Sequence, residues 1–403
     1  MDAKRTHPKA SQHAVDLDAA CRQRRAKADH VVTLLTAGDP LADAVIAELD
    51  LYGPQARNAL DAGLRHGLTS VDRPLPAAVT ALLREVEATP AWVDPLLLHR
   101  GDVVSQSVPP MWFALCSITC ALAYGYASPA TARVLAGTGR PEDTAARRLA
   151  ETGVWVRQTI RPGGLLRGRP GYVATVEARL AHARTRATSL TEWDRGARGL
   201  PVGQLDMART WLGFTLVAFQ ALTAVGIDIS PEEERSLYRY WSYVAHLLGL
   251  DERLHQDVVD HAGARRLRHL LDSLTAAPDE NSTTMTAAMA GAQAHSMAEA
   301  PGAVLSEEQL RHLIDSVLRQ ACGEEWAVRL GIHGTPADLD LMPLIKQLNR
   351  QARHWQTYSS ASAQEARRRS LEGSRPELRA AALACDTSCR RNAGAVRPEA
   401  WAA

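Results

Sequence analysis

One stretch of the chain, 147–186, reads RRLAETGVWVRQTIRPGGLLRGRPGYVATVEARLAHARTR, and it concentrates the side chains able to do chemistry. Arg148 and Thr152 stand four residues apart, and His182 follows thirty residues later. A spacing of four puts a guanidinium and a hydroxyl on one side of a helix, where together they can orient an anion or a polar atom. A neutral imidazole is a ligand for iron or a carrier of protons. Glu151 adds a carboxylate beside Thr152, suited to acid/base work or to pairing with Arg147, four residues earlier.

Two helices must hold these groups. In the first, about 142–160, Ala145, Leu149, Thr152 and Val156 form the apolar stripe, with Arg148 one turn before Thr152 on the same side. An inward charge is costly unless it meets an anion or many acceptors. Either a structural carboxylate satisfies Arg148, or a bound ligand does. The second helix, 172–188, follows the turn-forming Pro162-Gly163-Gly164. Its stripe is Tyr172, Val176, Leu180, Ala183 and Ala187, and His182 faces nearly the other way with Thr175, Ala178, Arg179 and Arg186. That face reads as a solvated one. The alternative is a site for something flat, with small neighbours leaving room before His182 and with Arg179 and Arg186 placed to pair with carboxylates.

The rest of the chain limits the function classes. It has 403 residues, 46% hydrophobic, with a net charge of +1 and only four lysines. No concentrated basic surface is expected, so nucleic acid is not an expected partner. The N-terminus is polar and shows no signal-peptide pattern, which leads us to expect a cytoplasmic protein. The six cysteines make no framework; Cys116/Cys120 and Cys385/Cys389 are read as free thiols. Helical patterning runs nearly throughout, with breaks at Gly38-Asp39-Pro40, Gly53-Pro54 and Pro74. Two apolar runs, 111–127 and 211–227, are short for membrane spans and lack basic flanks, so we expect buried central helices. Helices are also expected near 232–248 and 251–274. Residues 275–304, rich in Ala, Thr, Met and Ser, read as a flexible or loosely helical connector, and the Arg-rich stretch from about 360 as a poorly ordered tail.

Several segments in order carry a resemblance. SPATARVLAGTGR (128–140), RRLAETGVWV (147–156), PGGLLRG (162–168) and RLAHARTR (179–186) are followed by GLPVGQLDMARTWLGF (199–214), YRYWSYVAHLLGLDE (238–252) and RLGIHGTP (329–336). Over roughly 95–350 the chain resembles the latex clearing protein (rubber oxygenase) and MpaB-type oxygenase family. The resemblance implies an all-α fold with a globin-like helical core around a non-covalent b-type haem, and extra helices at both ends. It implies His182 as the proximal iron ligand, Arg179 and Arg186 as partners of the cofactor, and Arg148, Thr152 and Glu151 as pocket residues of a haem-dependent oxygenase. The expected layout is an N-terminal helical extension (1–94), a catalytic domain (95–350) and a polar tail (351–403).

The sequence also departs from the family. Rubber-cleaving members carry a glutamate on the helix before the Arg/Thr pair, whereas no Asp or Glu occurs from Val103 to Pro141. Some members place a lysine before the threonine; here that position is Glu151. We therefore expect O2 and a small, largely apolar substrate in place of polyisoprene. Two alternatives are carried. One is a non-catalytic haem or ligand carrier. The other is a non-haem di-iron enzyme built on the Glu252-x-x-His255 spacing, which lacks a second copy; Glu252 and His255 otherwise read as a solvated helix start.

Overall fold

Prolines and short polar caps punctuate the chain, and the helices start where they fall. The structure, a computed structural model, describes residues 33–358 except 72–73, 191–192 and 194–199, with scattered residues as far as 372. Within them we number the long helices α1 (Pro40–His66), α2 (Ala77–Glu87), α3 (Pro95–Gln106), α4 (Pro110–Tyr126), α5 (Pro129–Ala136), α6 (Pro141–Thr159) and α7 (Pro170–Ser189). They continue as α8 (204–224), α9 (Pro231–Leu247), α10 (His261–Leu274), α11 (Glu280–Ala298), α12 (Glu307–Cys322), α13 (Glu324–Arg329) and α14 (Met342–Tyr358). No strand occurs among the described residues, so the fold is all-α.

Proline opens α1, α3, α4, α5, α6, α7 and α9, where its missing N–H removes nothing from the helix. Asp39, Asp94, Ser128 and Ser230 cap four of these starts by accepting a backbone N–H. At Gly53-Pro54 helix α1 kinks, with Gly53 at φ 65°, a conformation that glycine adopts without a Cβ penalty.

The two apolar runs lie in α4 and α8. Each contains a π-helical segment, Phe113–Thr119 and Gly213–Val217, and both segments are almost wholly buried. The helices meet at Gly213, where an added Cβ would lie 2.9 Å from the Ala121 carbonyl oxygen. No single described helix is long and apolar enough to cross a membrane; α3 and α4 pass that test only as a pair bent by 106°.

Over 275–304, where a flexible or loosely helical connector was expected, α11 is a regular helix packed into the core. Met285, Met289, Ala290, Ala294 and Met297 are buried in it, and it lies against α6 and α12. Its small residues permit close approach on more than one side, so it lacks the one-sided stripe by which a helix is read. The helix expected over 251–274 is broken into a turn, Glu252–His255, and α10, which Asp260 caps. Cys116, Cys120 and Cys322 are buried free thiols; Cys21, Cys385 and Cys389 and most of the tail lie outside the described residues.

Helices α6 and α7 are joined by the tight Pro162–Gly164 connector and pack closely at Gly171. A Cβ there would stand 2.5 Å from the Gln158 carbonyl oxygen and 2.7 Å from Thr159 Cα. These are backbone atoms and cannot rotate away. Gly171→Ala is expected to cost about 2 kcal/mol in urea denaturation, by forcing the two helices apart. Unchanged stability would show that the helices yield at no cost.

Candidate functional site

The floor and walls of a chamber that reaches solvent at Glu151 and Ala181 come from five helices. The chamber has a volume of about 240 Å³. Helix α4 contributes Ala121, Gly125 and Tyr126, and α5 contributes Thr131 and Val134. Helix α6 presents Arg148, Glu151, Thr152 and Trp155; α7 presents Ala178, His182 and Thr185; α8 presents Asp206, Met207, Thr210 and Phe214. The four residues Arg148, Glu151, Thr152 and His182, picked out by spacing, therefore line one space.

The face of α7 that carries His182 is not solvated. Thr175, Arg179 and Arg186 on it are buried, because α1, α6 and α9 close around the helix. His182 is half-buried and touches the chamber, and its Nδ1 is buried without a hydrogen-bond partner. Burial pushes its pKa down to about 4; the Arg148 and Arg186 cations add to this and Asp39 opposes it. The ring is consequently neutral near pH 7, with its lone pair available.

Arg148 makes a 3.2 Å ion pair with Glu151, one turn on, while its Nε is buried and unbonded. The pairing of Glu151 with Arg147 expected from spacing is thus replaced: Arg147 turns toward Thr138, 3.3 Å away. The carboxylate follows the guanidinium that points into the chamber. Thr152 is 7% exposed, and its hydroxyl makes no hydrogen bond among the described residues.

Arg179 and Arg186 were expected beside the cofactor, and neither lines the chamber. Arg179 reaches Asp39 at 2.5 Å and Glu85 at 2.7 Å, and Arg186 reaches Asp43 at 2.7 Å. All three partners sit on or just before α1 or α2, which sequence spacing could not place beside α7. The two arginines tie the His-bearing helix to the N-terminal pair of helices.

Two chamber residues escaped the sequence reading. The Tyr126 hydroxyl is buried with no partner; burial, offset in part by Arg148 and reinforced by Glu151, pushes its pKa up to about 12. Its only signal was a tyrosine inside an uncharged run. Asp206 is the second carboxylate of the chamber, brought in from α8. An aromatic group closes one side: Trp155 meets Phe214 edge-on at 5.1 Å, and Phe214 stacks on Trp241 at 5.5 Å. Trp155 is fixed by its Nε1–H, which donates to the Thr175 hydroxyl at 3.1 Å.

A wider cleft of about 1450 Å³ lies between α6 and α11, with several alanines and two glycines in its lining. It shares Glu151 with the chamber, but His182, Arg148 and Tyr126 do not face it. The chemistry-bearing groups converge on the smaller space. Around Glu252 and His255, by contrast, no metal cage forms. Among the described residues no group of three or more His, Cys, Asp or Glu is placed to hold an ion. His255 is only 3% exposed, so the expected solvated helix start is also replaced, by a buried imidazole against Trp211.

Fold and chamber together define a helical protein enclosing a largely apolar space tipped by an imidazole, a guanidinium, a phenol and two carboxyls. Residues 108–368 match the family model described as ER-bound oxygenase mpaB/B′/rubber oxygenase, catalytic domain, and the chain belongs to this oxygenase family. Among solved structures, latex clearing protein in its closed state is similar in fold, with a TM-score of 0.60 at 19% identity, covering 84% of this chain and 91% of that one. Compared by sequence with curated proteins, the chain has no match.

Proposed function

We propose that this protein is a haem b-dependent oxygenase that acts with O2 on a small, largely apolar molecule. His182 is the iron ligand in this reading, and Arg148 and Thr152 are pocket residues. The observation that carries it is the neutral, chamber-facing His182 ring, whose charge burial suppresses. Three buried polar atoms with no partner surround the same space: His182 Nδ1, Arg148 Nε and the Tyr126 hydroxyl. Orphaned polar atoms converging on one space fit a bound group with polar features, since leaving each unmet costs about 1–3 kcal/mol.

A haem, when bound, supplies the iron at which dioxygen is activated. The chain's own residues do the rest. Arg148, held by Glu151, offers a cation to an anionic or carbonyl oxygen. The Thr152 and Tyr126 hydroxyls offer hydrogen bonds, and the Tyr126 proton stays in place at neutral pH. Trp155 and Phe214 keep water from one side of the substrate. The absence of an acidic residue on α5 favours a small molecule over polyisoprene, because the base expected in rubber cleavage is missing there.

The test is an absorption spectrum of the protein purified from haem-replete cells, with pyridine haemochrome analysis, beside His182→Ala. We expect one haem b per chain in the parent and roughly tenfold lower occupancy in the variant, a loss equivalent to about 1.4 kcal/mol or more of binding energy. A haem-free parent sinks the proposal. Full occupancy in the variant moves the iron ligand elsewhere.

A further inference from the structure

Asp206 holds a position that a helix cap does not require. It is the third residue of α8, and its carboxylate accepts the Gly203 backbone N–H at 3.3 Å and the Thr131 hydroxyl at 3.4 Å. That much is ordinary capping. The same side chain also lines two cavities. One is the inner chamber with His182. The other, about 420 Å³, lies between the starts of α5 and α8 and the end of α10. The outer cavity is lined by Arg133, Arg209, Thr275 and Asp279, and the exposure of Arg133 and Asp279 opens its rim to solvent. Among the described residues, Asp206 alone lines both.

The charges around Asp206 come from several elements. On its own helix Arg209 follows by three residues and is paired with Asp272 of α10 at 2.6 Å. Arg133 of α5 and Asp279 face it from the outer cavity, and Arg148, Glu151 and His182 share the inner chamber. Burial raises its pKa above the usual carboxylate value, against the pull of the Gly203 N–H, Arg209 and Thr131. A carboxyl so placed has both protonation states closer to neutral pH than a surface aspartate does.

We propose that Asp206 relays protons between the solvent-open outer cavity and the inner chamber. The inference rests on the reading of the chamber as the site where O2 reacts. Inward, the carboxylate takes a proton from water in the outer cavity and delivers it to a basic oxygen in the chamber. Outward, it takes a proton from an acid in the chamber and releases it to outer water. No electron moves in either direction, and Asp206 returns to its starting form. Asp206 lines both cavities, so this route needs no conformational opening; Glu151, 48% exposed, is the chamber's other carboxyl at a solvent-facing edge, toward the cleft between α6 and α11.

The experiment uses Asp206→Asn, which keeps an acceptor for the Gly203 N–H, and Asp206→Glu, which keeps a carboxyl. Binding of cyanide to the ferric haem protein is the probe. Hydrogen cyanide enters neutral and must lose its proton to the chamber before cyanide binds as an anion. At haem occupancy equal to the parent's, Asp206→Asn is expected to bind cyanide about a hundredfold more slowly and to lose the parent's pH dependence. Asp206→Glu is expected to recover part of the rate. A second measurement needs no haem: in protein carrying 13C-carboxyl aspartate, the resonance missing from Asp206→Asn should titrate above those of the surface aspartates. Parent-like cyanide kinetics in Asp206→Asn, or an Asp206 resonance that titrates with the surface aspartates, overturns the relay. A parent that takes up no haem overturns the oxygenase reading instead, and the carboxyl titration then decides the relay by itself.

Discussion

Replacing Arg179 with methionine is expected to destabilise the protein by about 4 kcal/mol, measured by urea denaturation. The guanidinium is 4% exposed and meets Asp39, itself 11% exposed, at 2.5 Å. Methionine keeps much of the packing volume and leaves the Asp39 carboxylate buried without its cation. The second partner, Glu85, is 42% exposed, so water takes over its solvation and it adds little. The charge logic can be separated from packing by a double variant, Arg179→Met with Asp39→Asn. Asparagine still accepts the Ala42 N–H that Asp39 caps at 3.1 Å, and no buried charge is then orphaned. The double variant should recover at least half of the loss. Strictly additive losses would mean that the two side chains matter separately and that the pair is not what ties α7 to α1. Because α7 carries His182, the single variant should also loosen the chamber.

The second large effect is acid destabilisation through His255. Its ring is 3% exposed, lies 6.1 Å from the Trp211 ring, and makes no well-formed hydrogen bond through either nitrogen. Burial pushes its pKa down from 6.5 to about 4, helped by His246 and opposed by Asp251. Between these two values the unfolded chain binds a proton that the folded chain refuses. Stability therefore falls as the pH drops through 6.5, and the full penalty is in place below pH 4. Over that window the loss reaches roughly 3 kcal/mol, at about 1.4 kcal/mol per pH unit. Denaturation curves of the parent and of His255→Leu, taken across the window, should converge as the solution is acidified and then cross in favour of the variant. Parallel curves would show that the buried ring is protonated without penalty.

What was legible without coordinates was local. Proline after Asp or Ser marks the starts of α1, α3, α5 and α9, because capping and the fixed φ of proline act within a few residues. The uncharged runs in α4 and α8 announced buried central helices, since an uncharged stretch of that length has no solvated face to offer. The four-residue step from Arg148 to Thr152 puts both on the chamber side of α6, as helical geometry requires. The sequence by itself thus determined the class of fold, several helix starts and the inward side of α6.

Tertiary structure decided the remainder, because it depends on which distant segment covers which face. His182 stands on the polar side of α7, and only the packing of α1 and α9 turns that side into an interior and the imidazole into a neutral group. The same packing uses Arg179 and Arg186 to bind Asp39, Glu85 and Asp43, more than ninety residues away in sequence, and so withdraws them from the chamber. Helix α11 shows no periodic stripe because neighbours cover it on several sides. Tyr126 and Asp206 carry no signature in their own neighbourhoods. They become a chamber phenol and a carboxyl between two cavities only because α4 and α8 cross at Gly213 and bring them to the helix that holds Arg148.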